Sequence, residues 1–250
     1  MHILVTNDDG SRAPGLMAIE EHLQQLGEIT VVAPLQQCSG VSHSITYRRP
    51  LTCEAEQRPT GGPGWGVDGM PADCVKLGIN ELCENRPDLV VSGINAGFNA
   101  GINIIYSGTV AAAREAFFYG ISSIAVSLES DEEMNYDGAA AIALPIISKI
   151  LDQQQGAGFY NINIPSSATR EPWELRVLPM SLACNGDGYI QREDPNRRPY
   201  YWTTDCASPP RASLTTDMDL LLEGFVTITP LLFDATDCQL LEQMQDWEWS

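Results

Sequence analysis

The sequence predicts an α/β protein built on a mostly parallel sheet, and three observations carry that prediction. Short apolar runs alternate with stretches of helical periodicity through the first half of the chain, the pattern of successive βαβ units. Several of these elements are bounded by Pro or Gly, as at Pro34, Gly120 and Pro165, residues that punctuate regular structure. The length of 250 residues suits one large domain that can bury a substantial core unaided.

Taken in order, Ile3 to Thr6 forms a compact first strand. Leu16, Ile19, Leu23 and Leu26 then recur at helical spacing, with Gly27 placed as a C-cap. Ile29 to Ala33 is the second strand, stopped by Pro34. Gly66 to Val75 reads as a strand end, a turn and a helix with Pro71 near its start, capped by Asp68 or Asp73. Leu89 to Ser92 is a buried strand, and the Ala-rich stretch Val110 to Tyr119 is a helix closed by Gly120. A strand at 121–128, a helix at about 138–151 and a strand at 159–164 follow. Beyond Pro165 the periodicity fades, and residues 184–213, rich in Asn, Asp, Arg, Pro and Tyr, read as an extended arm or hairpin. A strand at 225–229 and a terminal helix at 240–247 complete the chain, with no internal repeat and no low-complexity linker.

Composition narrows the function. Fourteen Lys and Arg against 33 Asp and Glu give a net charge of -19. Nucleic-acid polymers are bound by neutralising phosphates with basic residues, so no such partner is expected. A small phosphorylated substrate is compatible only if a cation offsets the repulsion. The seven cysteines are scattered without CxxC spacing, which disfavours a zinc knuckle and suits free thiols in a reducing compartment. No basic leader precedes an apolar run, and nowhere do about eighteen apolar residues run together. The expectation is a cytoplasmic protein without a membrane partner.

Three segments are able to carry chemistry. Asn7-Asp8-Asp9-Gly10 directly follows the first strand, at the carboxyl end where open parallel sheets bind ligands. Adjacent carboxylates repel, and a hard cation such as Mg²⁺ or Mn²⁺ relieves that; a solvated Asx-turn explains the pair equally well. An aspartyl-phosphate mechanism needs an acid two residues after the nucleophile, where this chain has Gly10. Pro34 to Ser44 follows the second strand onto the same rim and offers Ser39-Gly40, although an ordinary polar loop has the same composition. Ser92-Gly93-Ile94-Asn95-Ala96-Gly97-Phe98-Asn99 leads into Tyr106-Ser107-Gly108-Thr109 at the head of the Ala-rich helix. Free N–H groups and the helix dipole make that start a phosphate cradle, whereas N-capping alone explains Ser107 or Thr109 but not the two upstream amides.

These segments, joined by Val67-Asp68-Gly69, Pro71-Ala72-Asp73-Cys74-Val75, Asn161-Ile162-Asn163-Ile164-Pro165, Tyr200-Tyr201-Trp202, Thr216-Asp217 and Thr227-Ile228-Thr229-Pro230-Leu231, resemble the SurE family of survival-protein nucleotidases. The likeness runs in order along most of the chain. It implies a single Rossmann-like α/β domain over residues 1–250, with helices on both faces of the sheet. The arm at about 184–213 would serve oligomer contacts in a homodimer or homotetramer. It further implies a divalent-metal phosphomonoesterase acting on nucleoside 5′- and 3′-monophosphates. One divalent metal ion per subunit, Mg²⁺ or Mn²⁺, would be held by Asp8, Asp9, Ser39 and Asn95. Asn99, Ser107, Gly108 and Thr109 would bind phosphate, and Asp8 would act as the general base for metal-activated water. Two departures stand out: Leu35-Gln36-Gln37-Cys38, where many relatives carry Asp-Arg and further basic residues, and Met70 in place of a small polar residue. The alternatives are a nucleotide- or phosphate-binding regulatory module without catalysis, or a metal-dependent hydrolase of an amide or ester. A pure anion site gains nothing from Asp8 and Asp9, and an amide or ester leaves the cradle unexplained.

Overall fold

The computed structural model describes residues 1–183, 186–206 and 214–249. Eleven strands are found among them: β1 (His2–Thr6), β2 (Glu28–Pro34), β3 (Cys53–Ala55), β4 (Gly64–Val67), β5 (Leu89–Ala96), β6 (Ser122–Leu128), β7 (Phe159–Ile164), β8 (Leu175–Val177), β9 (Gly186–Glu193), β10 (Pro199–Cys206) and β11 (Val226–Pro230). Nine form one sheet in the order β3-β4-β2-β1-β5-β6-β7-β11-β8. The six central strands from β4 to β7 are parallel, while β3–β4 and β7–β11 are antiparallel. The chain winds outward from β1 through β2 to β4, then returns to the far side of β1 to lay down β5, β6 and β7. Strand order therefore reverses between β1 and β5, the switch point at which doubly wound sheets bind ligands.

Alternation along β1 explains why both faces are covered. Ile3 and Val5 enter a core shared with Leu16, Ile19 and Leu23 of α1 (Pro14–Leu23) and with Ala139, Ala143 and Ile147 of α5 (Tyr136–Gln153). Leu4, between them, packs with Cys74 and Val75 of α2 (Pro71–Leu77) and with Ala112 and Ala116 of α4 (Gly108–Phe118). A strand buried on both faces is apolar without interruption, which is how β1, β2 and β5 read in the sequence. Three short helices complete the set: α3 (Asn103–Tyr106), α6 (Asp217–Leu221) and α7 (Cys238–Gln245).

The expected elements are present with shifts of a few residues. Gly27 is not the C-cap of α1; the helix stops at Leu23 and Gln24 caps it in the right-handed region. Gly27 instead lets the carbonyl of Met1 come so close that no Cβ would fit. Asp73 does serve α2, accepting the Met70 N–H at 2.9 Å, and it also accepts the Thr46 N–H at 2.9 Å. Of the expected arm at 184–213, residues 186–206 form the antiparallel hairpin β9–β10, whereas 184–185 and 207–213 lie outside the described residues. Among the described residues no helix is long and apolar enough to cross a membrane.

Candidate active site

The site grows from the end of β1. Gly10 adopts φ +113, open to glycine at little cost, and the Asn7 side chain closes a ring with it: Gly10 N–H donates to Asn7 Oδ1 at 3.1 Å, and Asn7 Nδ2 donates to the Gly10 carbonyl at 3.0 Å. From that turn the two consecutive carboxylates go to different neighbours. Asp8 reaches toward α4, where Thr109 Oγ1 donates to its Oδ1 at 2.5 Å. Asp9 reaches across the switch point, and its Oδ2 accepts the Ala96 N–H of β5 at 3.1 Å.

Loop 35–44 closes over the same rim. Cys38 N–H donates to the Asp8 carbonyl at 2.7 Å, and Ser42 ties the loop to α3 through its N–H to Tyr106 O and its hydroxyl to Ile105 O, both at 2.8 Å. His43 anchors its far end: Nε2 lies 2.7 Å from Glu115 Oε2 and the ring stacks on Phe118 at 5.3 Å. Ser39 and Asp9 are thereby joined through Gln37, whose Nε2 donates to Ser39 Oγ at 2.9 Å and to Asp9 Oδ1 at 3.3 Å. The nitrogen of that amide stands where a cation would satisfy both oxygens. Asn95 Nδ2 donates to Gly97 O at 2.7 Å, which leaves its amide oxygen as the end able to ligate. Among the described residues no three His, Cys, Asp or Glu side chains gather in a metal-binding group, so a cation beside Asp8 and Asp9 would draw on other oxygen donors. All-oxygen donors of this kind suit Mg²⁺ or Mn²⁺.

The head of α4 meets Asp8 at close range. A Cβ on residue 108 would lie 2.9 Å from both Cβ and Oδ2 of Asp8 and 3.2 Å from Cys38 O, so Gly108 is what admits the contact. Ser107 is the N-cap and accepts the Val110 N–H at 3.1 Å, so capping and phosphate binding are compatible uses of one residue. The N–H groups of Gly108 and Thr109 fall in the first turn, where an α-helix offers them no internal acceptor. Asn99 is placed differently: its Nδ2 donates to Ser127 Oγ at 2.9 Å and the residue is 8% exposed.

Electrostatics single out Asp8. Burial, at 4% exposure, pushes its carboxyl up to about 6; the Thr109 hydroxyl pulls against that, and the neighbouring Asp9 charge adds to it. A carboxyl poised there exchanges protons near neutral pH. Sequence reasoning met Gln37 only as part of a departure from the family pattern and overlooked Glu115. Neither belongs to a recognisable motif, and their contacts span chain segments with no common periodicity.

Comparison with known proteins bears on the family and the fold. The family model described as Survival protein SurE matches residues 3–185. The chain is 49% identical to the 5′-nucleotidase SurE of Rhodopirellula baltica, over 99% of this chain and 98% of that protein. It is 39% identical to the 5′-nucleotidase SurE of Desulfatibacillum aliphaticivorans, again over 99% and 98%. The crystal structure of the SurE protein from Aquifex aeolicus superposes with a TM-score of 0.84 at 35% identity, covering 98% of both chains.

Proposed function

The chain belongs to the SurE family, and from that premise we propose that it is a 5′-nucleotidase, a phosphomonoesterase that also accepts 3′-nucleotides and works with one divalent cation per subunit. The observation that carries the reading is the meeting of a raised carboxylate with a helix N-terminus, Asp8 Oδ1 to Thr109 Oγ1 at 2.5 Å, at the switch point of the sheet. Asp8, Asp9, Ser39 and Asn95 would hold Mg²⁺ or Mn²⁺. When bound, such an ion neutralises charge on phosphoryl oxygens and makes water more acidic. Asp8 takes the proton from the attacking water, a role that its place beside Thr109 at the head of α4 supports. The N–H groups of Gly108 and Thr109 and the hydroxyl of Ser107 hold the equatorial oxygens, the main service a protein gives phosphoryl transfer. Asn99 serves the phosphate through the position of its loop. The hairpin β9–β10 exposes Tyr189, Tyr201 and Trp202, which supports assembly as a homodimer or homotetramer.

The test is phosphate release from a panel of nucleoside 5′- and 3′-monophosphates with Mn²⁺, with Mg²⁺ and with EDTA. Expected is release that needs metal and falls by about 10²–10⁴-fold in Asp8→Ala, the usual worth of general-base help. Release that persists in EDTA, or an Asp8→Ala variant with near-normal turnover, overturns the reading. Binding of phosphate and AMP without hydrolysis would favour a regulatory module instead.

A further inference from the structure

Two motifs have no part in the site described above: Asn161-Ile162-Asn163 on β7, and Thr216-Asp217 at the head of α6. The fold brings both onto one loop, residues 97–101, between Asn95 and α3. The main chain of Asn99 is gripped from both sides. Its N–H donates to Asn163 Oδ1 at 2.9 Å, and its carbonyl accepts from Asn161 Nδ2 at 2.7 Å and from Asn163 Nδ2 at 3.2 Å. Two residues on, the Gly101 N–H donates to Asp217 Oδ2 at 2.8 Å, while Asp217 Oδ1 accepts from the N–H groups of Ser181 and Met218 at 2.8 Å each. Asn161, Asn163 and Asp217 are all 0% exposed.

We infer that Asn163, Asn161 and Asp217 are positioning residues for the phosphate, fixing loop 97–101 so that the N-terminus of α4 faces Asp8. The inference rests on the reading of Ser107, Gly108 and Thr109 as the phosphate cradle. The linkage is short. The carbonyls of Ala100 and Gly101 accept from Asn103 and Ile104 at 3.2 Å each, starting α3, and Asn103 O accepts from Ser107 N–H at 3.0 Å, ending it. One helical turn therefore separates the gripped loop from the N-cap of α4. Buried amides and a buried carboxylate are costly unless they are bonded, and here Asn161, Asn163 and Asp217 Oδ2 bond to the main chain of this loop. Asp9 is held by Ala96 and Asn95 by its ladder position opposite Ser127, while Asn95 Nδ2 also donates to Gly97 O within the loop. Loosening the clamp should thus weaken phosphate binding more than metal binding.

The experiment compares Asn163→Ala and Asp217→Asn with the wild-type full chain, reading inorganic phosphate and Mn²⁺ affinities by calorimetry, KM and kcat for a nucleotide, and amide exchange at Asn99 and Gly101. Supporting groups around a ligated centre typically matter 10–100-fold, so the phosphate dissociation constant and KM should rise by about that factor, with Mn²⁺ affinity falling by a smaller factor. Exchange at Asn99 should quicken in Asn163→Ala, and at Gly101 in Asp217→Asn. Asn161→Ala removes one bond to the Asn99 carbonyl and leaves the Asn99 N–H held by Asn163, so it should raise the phosphate dissociation constant by less than Asn163→Ala does, a grading that a role in stability alone does not predict. Folded variants that bind phosphate as the wild type does would overturn the inference. If Asn163→Ala fails to fold, Asp217→Asn and Asn161→Ala decide the same comparison. A wild-type chain that binds no phosphate sinks the cradle itself, a result distinct from variants that match a phosphate-binding wild type.

Discussion

Replacing Thr109 with valine removes one hydroxyl and keeps the shape of a residue that is 0% exposed. The hydroxyl donates to Asp8 Oδ1 at 2.5 Å and holds down a pKa that burial has raised. A hydrogen bond to a charged group contributes ~1.5–3 kcal/mol, equivalent to about 1–2 pKa units. From about 6 in the wild type, the Asp8 carboxyl of the metal-free variant should move to about 7–8. Mn²⁺ must displace that proton, so metal affinity declines below the pKa and binding there releases a proton. Calorimetry between about pH 5 and 8.5 in buffers of different ionisation enthalpy reads both quantities. At neutral pH the wild type should bind Mn²⁺ with little proton release, whereas Thr109→Val should release a large fraction of one proton. The stability of the metal-free protein carries the same sign. Between 3.8 and about 6 the folded state binds more protons at Asp8 than the unfolded chain does, so stability falls as pH rises through that window. The fall amounts to about 3 kcal/mol for a shift of this size, and the variant should extend it to higher pH. If proton release and the pH of weakening match in the two proteins, Thr109 does not control Asp8 and the reasoning fails.

Three further predictions follow from the same geometry. Gly108→Ala places a methyl 2.9 Å from Asp8 Oδ2, and the resulting displacement should lower kcat/KM by about 10²-fold while circular dichroism shows the helix intact. Gln37→Ala removes the amide that bridges Asp9 and Ser39; with a competing hydrogen bond of ~0.5–1.5 kcal/mol gone, Mn²⁺ affinity measured by calorimetry should rise by about 2–10-fold. In Glu115, burial pushes the pKa up, but the His43 hydrogen bond and Lys76 together outweigh it and leave the pKa below 4.5. Glu115→Gln should therefore lower the thermal midpoint at pH 7, by about 1–3 kcal/mol of stability, and the deficit should shrink as pH falls below 4.5 toward the lowered pKa.

The fold was legible wherever burial leaves a periodic trace. β1, β2, β5, β6 and β7 are buried on both faces, and each was placed within a few residues. β3 is three exposed residues and β8 three that are little buried, too short to show a period. β4 reads Gly-Trp-Gly-Val, where glycine erases the alternation. Within the site, Asp8, Asp9 and the head of α4 announced themselves because strand ends and helix starts have local signatures. Gln37 does not, since its meaning depends on a partner 28 residues away in sequence, and Asp217 grips a glycine 116 residues away. Contacts of that kind arise from winding order, which no single stretch of sequence encodes.

The two ends of the hairpin region lie side by side. Asp217 N–H donates to Pro179 O at 3.0 Å, and Ser181 N–H donates back to the Asp217 carboxylate at 2.8 Å. The chain thus leaves the body at Ser181 and rejoins it at Asp217 at one closed junction, and the hairpin β9–β10 between them stands outside the ladder of the nine-stranded sheet. Such a junction is a natural graft point, because a guest whose own termini are close can be spliced in without re-registering any strand of the body. A reporter domain or affinity tag inserted there, with Ser181 and Asp217 kept, should leave the register of the nine-stranded sheet unchanged.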